Sequence, residues 1–215
     1  MTTNHRNKPM QQELVNLLAA RNGHFKLESG HHGTLWLDLD PLFLRPTRLE
    51  RFVVELANGL SQYDVEAVCG PLAGGAFLAQ SVASVLDIEF YYTERFVPPE
   101  REALYPVKYQ IPNSFREMVH GKNVAIVDDV INAGSAVRGT LAELQSCGAN
   151  PVVIGALLVL GSLARRFFAD QNVPVEYVAH LPNELWVPSE CPLCASQIWL
   201  EDLTASAERG RTWGC

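Results

Sequence analysis

The sequence lacks any apolar stretch long enough to cross a membrane. Its longest apolar run covers residues 152–160, which is shorter than the roughly 20 residues that a transmembrane helix needs. The N-terminal segment MTTNHRNKPM has no apolar centre of the kind found in signal peptides. We therefore expect a protein that has no membrane partner and is not exported by a signal peptide.

The sequence also contains few cysteines, and fewer basic than acidic residues. The five cysteines are an odd number at irregular spacings, which is not the pattern of a disulfide framework, so we expect a reducing, cytoplasmic location. Lys and Arg total 17 against 24 Asp and Glu, for a net charge of −7, and no run of basic residues occurs. Because nucleic-acid-binding domains present a basic face, we expect a small-molecule ligand and no nucleic-acid partner.

The sequence does contain an alternation of short apolar segments with segments of helical periodicity. Over 215 residues, of which 47% are hydrophobic, this alternation predicts one α/β domain with a doubly wound, mostly parallel sheet. Ligands of such sheets bind at the carboxyl ends of the strands. Predicted strands cover residues 34–40, 67–69, 88–92, 124–127, 152–160 and 175–178; predicted helices cover residues 10–21, 47–60, 77–86, 137–148 and 164–169; residues 93–120 are predicted to be mostly loop and ribbon.

The segment VAIVDDVINAGSA, residues 124–136, carries the strongest chemical signal. A buried strand delivers two adjacent carboxylates, Asp128 and Asp129, and a turn of small residues from Asn132 to Ser135 then opens a helix. Small residues let backbone N–H groups approach an anion, and a helix N-terminus favours negative charge. Carboxylates bind hydroxyl groups or Mg²⁺. This arrangement predicts a ligand in which a phosphate lies close to a polyol.

This segment resembles the phosphoribosyl diphosphate (PRPP) motif of the type I phosphoribosyltransferases, and it is closest to the orotate phosphoribosyltransferases. Asn132 and Ser135 stand where that subfamily usually has Thr, while Gly134 and Arg138 match it. Other stretches resemble the subfamily's entry strand, its Asp-Leu-Arg-Pro-Leu-Phe segment, its pyrophosphate loop and a Cys-Pro-Leu-Cys hairpin; these stretches are residues 23–30, 38–43, 70–75 and 191–194. The resemblance extends over residues 23–203.

The resemblance implies a Mg²⁺-dependent pentosyltransferase that moves the 5-phosphoribosyl group of PRPP to a ring nitrogen of a base. It implies a homodimer whose subunit is one domain over residues 1–215, with a core of about residues 47–180 and a small hood from about residues 23–46 and 181–203. It assigns catalysis to Asp128, Asp129, Lys108 and Arg101, with both aspartates holding Mg²⁺ indirectly and the two cations on a mobile loop within residues 93–116. It assigns PRPP binding to Ile131, Asn132, Ala133, Gly134, Ser135, Ala73, Gly74 and Arg95.

The base-binding positions depart from the subfamily. By position, Glu28 replaces a Lys and Ser162 replaces an Arg that bind the orotate carboxylate in the best-known branch, while Trp36 falls where the family stacks an aromatic ring near the base. Loss of a bidentate Arg–carboxylate contact weakens binding by about 2–5 kcal/mol unless Arg165 or Arg166 compensates. We therefore expect orotate to be a poor acceptor. A transferase for another base, or a non-catalytic protein that senses PRPP or a nucleotide, is the alternative interpretation.

The cysteines of the Cys191-Pro192-Leu193-Cys194 segment and the neighbouring histidines His31 and His32 are the other candidates for metal chemistry. A zinc site needs two ligands besides the cysteines, and His180 is the only nearby candidate in the sequence. We therefore expect no zinc at Cys191 and Cys194. We also expect His31 and His32 to lie in an exposed loop without a metal ion.

Overall fold

Two β-sheets and eight α-helices make up the computed structural model, which describes residues 8–98 and 104–202. The strands are β1 (Ala19–Lys26), β2 (His32–Asp38), β3 (Ala67–Pro71), β4 (Glu89–Phe96), β5 (Lys108–Gln110), β6 (Asn123–Ile131), β7 (Asn150–Leu160), β8 (Val175–Leu181), β9 (Leu185–Trp186) and β10 (Glu201–Asp202). The helices are α1 (Lys8–Asn16), α2 (Asp40–Phe43), α3 (Glu50–Leu60), α4 (Gly74–Leu86), α5 (Asn113–Val119), α6 (Ser135–Ser146), α7 (Leu163–Asp170) and α8 (Pro192–Ala195), with 3-10 turns over Pro46–Arg48 and Pro188–Glu190. Within these described ranges, no helix is both long and apolar enough to span a membrane.

The larger sheet has six strands in the order β5-β4-β3-β6-β7-β8. All of its strand pairs are parallel except that of β4 with the edge strand β5. Side chains of successive residues point to opposite faces of a strand, so a strand covered on both faces is apolar throughout. In β6, Ala125 and Val127 pack into one core with α3 and α4, whereas Val124 and Ile126 pack into another with α6 and α7. The predicted doubly wound α/β fold is therefore confirmed.

The smaller sheet has four strands in the order β10-β1-β2-β9. β1 and β2 form an antiparallel hairpin in which Lys26 lies opposite His32. β9 pairs with β2 in antiparallel orientation, and β10 pairs with β1 in parallel orientation. Each of these outer strands is only two residues long. The pairing brings a segment from the end of the described chain beside the hairpin near its start.

The start of the chain differs from its prediction in two places. The helix predicted over residues 10–21 ends at Asn16, and β1 already begins at Ala19. Ala19 lies opposite Asp38 of β2, so the pairing of two strands overrides the helical spacing of the leucines. The strand predicted over residues 34–40 ends at Asp38, because Asp40 begins the short helix α2.

Two other predictions also need correction. The region predicted as mostly loop and ribbon does contain the ribbon of β4 and β5, but it also contains helix α5. The helix forms because Phe115 and Val119 pack against the core beside α6. The expectation that His31 and His32 lie in an exposed loop is wrong, since both side chains are buried and His32 is part of β2.

Candidate active site

The two adjacent aspartates lie within β6, not beyond its end. The strand continues to Ile131, and Asp128 is in register with Ala156 of β7. The side chain of Asp128 is almost fully buried, with the residue 7% exposed. The Asp129 N–H donates to Asp128 Oδ1 at 3.0 Å, and the Val130 N–H donates to Asp129 Oδ1 at 2.7 Å. These bonds fix the orientation of both carboxylates, which line the same cleft.

Burial raises the pKa of both carboxyl groups above the ordinary value for aspartate. For Asp128, the negative charge of Asp129 adds to the effect of burial and raises the pKa further. For Asp129, the hydrogen bond from the Val130 amide opposes the effect of burial without cancelling it. Two desolvated carboxylates side by side are stabilised by a cation or by hydroxyl donors. The pair is therefore suited to the diol of a sugar, with or without a divalent cation.

The start of α4, directly after the turn from β3, packs its backbone against these carboxylates. A Cβ atom on Gly74 would overlap the Asp129 carboxylate, and one on Gly75 would lie 2.6 Å from Asp128 Oδ1. Because β3 and β6 are neighbours in the sheet, the segments at their carboxyl ends meet, and only glycine leaves room for the aspartates. Ala73 and Gly74 both line the cleft.

The turn after β6 offers a place for an anion. Gly134 has a φ of +82°, a left-handed conformation that favours glycine, and α6 begins at the next residue, Ser135. The Ser135 hydroxyl is buried and has no hydrogen-bond partner among the described residues. Buried polar groups are almost always paired, so an unpaired one in a cleft points to a ligand. Asn132 and Ala133 line the same cleft.

Ile131 and Asn132, which begin this turn, have different surroundings. The Ile131 side chain is buried in the core and is not part of the cleft lining. The Asn132 side chain reaches the cleft, and its Oδ1 accepts a hydrogen bond from Asn183 Nδ2 at 3.0 Å. Asn183 lies between β8 and β9, so this bond joins the turn to the segment that leads into the smaller sheet.

Glu28 and Trp36, the predicted base contacts, come from the hairpin of the smaller sheet and line the cleft. Glu28 Oε1 accepts a hydrogen bond from the Tyr109 hydroxyl at 2.9 Å, and Glu28 Oε2 accepts one from Arg95 Nε at 3.1 Å. Burial and the adjacent Glu28 charge raise the pKa of Tyr109, which keeps its hydroxyl protonated as a donor. Arg95, predicted to bind PRPP, is therefore paired with Glu28 in this structure.

Tyr105 lies beside the cleft, with its hydroxyl 3.5 Å from the Ala133 carbonyl oxygen, and was missed from the sequence. Its N–H donates to the Ser29 carbonyl at 2.9 Å, and its ring centroid lies 5.6 Å from that of His31. The Arg138 guanidinium lies 4.3 Å from the Tyr105 ring centroid and 3.7 Å from that of Phe167. The signal for Tyr105 was a single aromatic residue in the Ala-Leu-Tyr-Pro-Val stretch of the loop that leads into β5. Its contacts join that loop to the hairpin of the smaller sheet.

The cleft has a volume of about 290 Å³ and an acidic lining. Three carboxylates, those of Glu28, Asp128 and Asp129, take part in the lining. No Lys, Arg or His side chain does so among the residues that the structure describes. A phosphorylated ligand would therefore enter this cleft together with a cation or with basic groups supplied from outside it.

The other predicted residues that the structure describes are not part of the cleft lining. Lys108 is exposed on the edge strand β5, and Arg101 lies outside the described residues. Ser162 and Arg166 line a separate depression next to the segment between β8 and β9. Arg165 lies over an aromatic ring of β8, 5.4 Å from the ring centroid.

Comparison with known proteins gives a consistent family assignment. Residues 47–174 match the family described as "Phosphoribosyl transferase domain". The chain is 31% identical over 182 residues to a protein named orotate phosphoribosyltransferase from Thermotoga maritima, which covers 84% of this chain and 89% of that relative. It is 30% identical over 178 residues to a protein of the same name from Caldanaerobacter subterraneus, covering 82% of this chain and 85% of the relative.

Solved structures share the fold at lower sequence identity. An adenine phosphoribosyltransferase from Rhodothermus marinus superposes with a TM-score of 0.64 at 20% identity, over 81% of this chain and 100% of that one. An orotate phosphoribosyltransferase from Aeropyrum pernix superposes with a TM-score of 0.56 at 23% identity, over 80% of this chain and 92% of that one. At these identities the likeness establishes the fold.

Proposed function

This chain belongs to the phosphoribosyltransferases, a family of pentosyltransferases, and we propose that its cleft binds Mg²⁺ and PRPP and transfers the 5-phosphoribosyl group to a ring nitrogen of a base. The observation that carries the proposal is the buried Ser135 hydroxyl, which has no partner among the described residues and shares the cleft with two desolvated carboxylates. A phosphate and a ribose diol on one molecule would satisfy both features together.

In this proposal each part of PRPP has its own segment of the cleft. The 5′-phosphate takes the turn from Asn132 to Ser135, where a hydrogen bond to a charged group contributes about 1.5–3 kcal/mol. The ribose hydroxyls take Asp128 and Asp129. The pyrophosphate takes the turn at Ala73 and Gly74, where the missing Cβ of Gly74 leaves the backbone close to the aspartates.

The residues of the cleft fit a magnesium ion. Mg²⁺ prefers oxygen ligands and usually binds through one or two carboxylates together with substrate phosphates and water. The raised pKa values of Asp128 and Asp129 mean that added positive charge stabilises the pair. When bound, Mg²⁺ would neutralise part of the pyrophosphate charge. Asp128 and Asp129 would hold the ion indirectly, through the ribose hydroxyls or water.

During transfer, the bond from ribose C1 to pyrophosphate breaks while the base nitrogen approaches C1. Positive charge develops on the ribose ring, and negative charge moves onto the leaving pyrophosphate. The fixed carboxylates of Asp128 and Asp129 would stabilise the positive charge, because their orientation is set before the reaction by backbone N–H groups. Lys108 and Arg101 would stabilise the negative charge.

We also propose that the active protein is a cytoplasmic homodimer. The described cleft lining contains three carboxylates and no Lys, Arg or His, which favours basic groups that reach the ligand from outside the cleft. The resemblance to orotate phosphoribosyltransferases implies that a neighbouring subunit supplies them from its loop. In the same proposal, the smaller sheet is the hood over a core of about residues 47–180, and its hairpin holds the base.

Two kinds of base are candidates for the acceptor of the phosphoribosyl group. Orotate is named by the relatives with about 30% identity, and with orotate the reaction would belong to pyrimidine biosynthesis. A base without a carboxylate is the second candidate, and Glu28 is the observation that favours it. Its carboxylate lines the cleft and would repel a carboxylate on the base, although Arg95 offsets part of its charge.

The test is product analysis with Mg²⁺, PRPP and a panel of free bases. We expect release of pyrophosphate and formation of one nucleotide, detected by mass spectrometry. Ser135→Ala should raise the KM for PRPP about tenfold, as expected for a lost bond to a charged group. Ser146→Ala, at the exposed end of the same helix, is the matched control and should leave that KM unchanged.

Binding measurements separate the enzyme from a sensor. Calorimetry that detects PRPP binding while no base of the panel releases pyrophosphate would favour a non-catalytic sensing protein. Calorimetry that detects no PRPP binding in phosphate-free buffer would contradict the proposal as a whole.

A further inference from the structure

Two histidines and two cysteines from distant parts of the sequence meet in the smaller sheet. They are His24 of β1, His32 of β2, and Cys191 and Cys194 at the start and within the first turn of α8. We name these four side chains the His–Cys cluster. None of them lines the cleft described above. His24, His32 and Cys191 are buried, and Cys194 lies at the surface.

The ligand atoms of the His–Cys cluster are spaced as in a tetrahedral zinc site. Zn–N bonds of about 2.0–2.1 Å and Zn–S bonds of about 2.3 Å place two nitrogens about 3.3 Å apart, and a nitrogen and a sulfur about 3.5 Å apart. The distance from His24 Nε2 to His32 Nδ1 is 3.3 Å. Cys191 Sγ lies 3.3 Å from His24 Nε2, and Cys194 Sγ lies 3.7 Å from His24 Nε2 and 3.2 Å from His32 Nδ1. All four atoms lie within 4.8 Å of one another.

The surroundings orient His24 for metal binding. Its Nδ1 lies 2.9 Å from the Ile198 carbonyl oxygen, which can only accept a hydrogen bond. The proton is therefore on Nδ1, and the lone pair of Nε2 points into the His–Cys cluster. A metal-binding histidine usually donates a hydrogen bond from its other ring nitrogen to a carbonyl or carboxylate, which fixes the orientation of the ring. Both cysteines are free thiols and can act as thiolate ligands.

We propose that His24, His32, Cys191 and Cys194 bind one Zn²⁺ ion with a structural role. Four protein ligands complete the tetrahedral shell and leave no open position for substrate or water, which is the arrangement of structural and not of catalytic zinc. The proposal departs from the expectation of no zinc at Cys191 and Cys194, because His24 and His32 supply the two further ligands. His180 is not the missing ligand, because its Nε2 bonds to the Gly161 carbonyl at 2.9 Å.

The ion would add a link between the hairpin and the C-terminal segment, which the ion pairs Arg21–Glu201 and Lys26–Asp202 also join. β9 and β10 hold the C-terminal segment to the hairpin through pairs of only two residues each. His24 lies in a bulge of β1, where the register with β2 shifts, and the ion would fix this bulge to α8. The turn between β1 and β2 carries Glu28 and Ser29, which line the cleft. Zinc would therefore position one wall of the cleft from outside it.

Metal content is the first test, on the full chain purified without chelator. We expect about one zinc per chain by inductively coupled plasma mass spectrometry. Cys191→Ser and Cys194→Ser should each reduce the zinc content at least tenfold, whereas Cys147→Ser, at a buried cysteine outside the cluster, should keep it. Wild-type protein that holds no zinc, both as purified and after incubation with Zn²⁺, would overturn the proposal whether or not the variants fold.

Cobalt substitution tests which atoms bind the metal. Co²⁺ in a tetrahedral site with two thiolates gives strong visible bands and a thiolate-to-metal charge-transfer band in the near ultraviolet. His32→Asn should weaken the tetrahedral bands, and His180→Asn should leave them unchanged. A cobalt spectrum without the sulfur band would show that the cluster is not a zinc site. These readouts are independent of the proposed transferase activity.

Discussion

The cleft and the His–Cys cluster are assembled in opposite ways. The residues proposed to bind ribose 5-phosphate lie in one continuous segment, residues 128–135, at the carboxyl end of β6. The cluster takes its four ligands from two strands and a short helix that are far apart in the sequence. The cleft keeps two desolvated carboxylates, and a hydroxyl without a partner among the described residues, whereas the cluster places four ligand atoms where one ion could bind them all. Binding sites keep groups unsatisfied for a ligand, and structural sites satisfy theirs.

The largest expected effect is a loss of turnover when the cleft is changed. Asp128→Asn removes the charge that would stabilise the ribose ring in the transition state, while Asn keeps an oxygen to accept the bond from the Asp129 N–H. We expect turnover with PRPP to fall by about 100-fold or more, as for the loss of one preorganised electrostatic contact. Pyrophosphate release measures it. Asp64→Asn, at a carboxylate in a loop before β3, is the control and should keep full turnover.

The same variant should be more stable than the wild type without ligand. Burial and a neighbouring charge raise the pKa of Asp128, so the folded state binds its proton more tightly than the unfolded state does. Stability from this group is therefore present at low pH and lost as the pH rises through the raised pKa. Asp128→Asn should melt above the wild type at about pH 7.5, and the difference should shrink at about pH 5. An unchanged difference across this range would contradict the sign of the shift.

Removal of zinc should lower stability more than it lowers turnover. If free zinc exceeds its dissociation constant about 1,000-fold, zinc binding stabilises the folded state by about 4 kcal/mol. A chelator, or Cys191→Ser, should therefore lower the melting temperature strongly, and added Zn²⁺ should restore it only in the chelated wild type. In contrast to the melting temperature, turnover measured below the melting transition should fall only slightly, because no ligand of the ion lines the cleft. Equal melting temperatures with and without the chelator would show that no zinc stabilises the smaller sheet.

These contrasts explain what the sequence could and could not predict. The central strands β3, β6 and β7 are mostly apolar because helices cover both of their faces, so each is visible as a local run of apolar residues. Asp128, Asp129 and the turn to Ser135 are visible for a related reason, since a strand, a turn and a helix N-terminus follow each other without interruption. The fold class and the centre of the cleft depend on such local order.

The features that the sequence did not predict depend on contacts between distant segments. Tyr109 was not singled out because its role comes from Glu28, which lies in the distant turn between β1 and β2. His24 shows no spacing that marks a metal ligand, because a bulge in β1 and the turn of α8 set its distance to Cys191. Helix α1 ends early because Ala19 pairs across the smaller sheet, which no periodicity records.

A smaller loss of activity is expected where the backbone of the cleft is closely packed. In Gly74→Ala the new Cβ would overlap the Asp129 carboxylate, so the carboxylate must move. We expect kcat/KM for PRPP to fall about 30-fold, in keeping with the steep dependence of catalysis on positioning. Gly121→Ala is the contrasting control, since nothing lies within 4 Å of its added Cβ, and its φ of +76° should lower stability alone. Equal activity in both variants would show that the turn does not position Asp129.

The loop cations should matter less than the aspartates. Lys108→Ala, or Arg101→Ala outside the described residues, should lower kcat about tenfold and change the affinity for PRPP less. The reason is that these charges would act most strongly as negative charge moves onto pyrophosphate. Lys122→Ala, which removes an exposed pair with Glu89 remote from the cleft lining, is the control. Unchanged kcat in both loop variants would place the catalytic cations on other residues.

The smallest expected effect concerns recognition of the base by Glu28, which lies in the turn between β1 and β2. If the Glu28 carboxylate repels the carboxylate of orotate, Glu28→Gln should raise kcat/KM for orotate about fivefold, since Arg95 already offsets part of the charge. Glu28→Lys combined with Ser162→Arg should raise it further, mainly through the lysine, because Ser162 lines a separate depression. Tyr109→Phe is the control that removes a donor to Glu28 and keeps the charge. Efficient conversion of orotate by the wild type, with no gain in Glu28→Gln, would mean that Glu28 faces a hydrogen-bond donor of the base and that orotate is the natural acceptor.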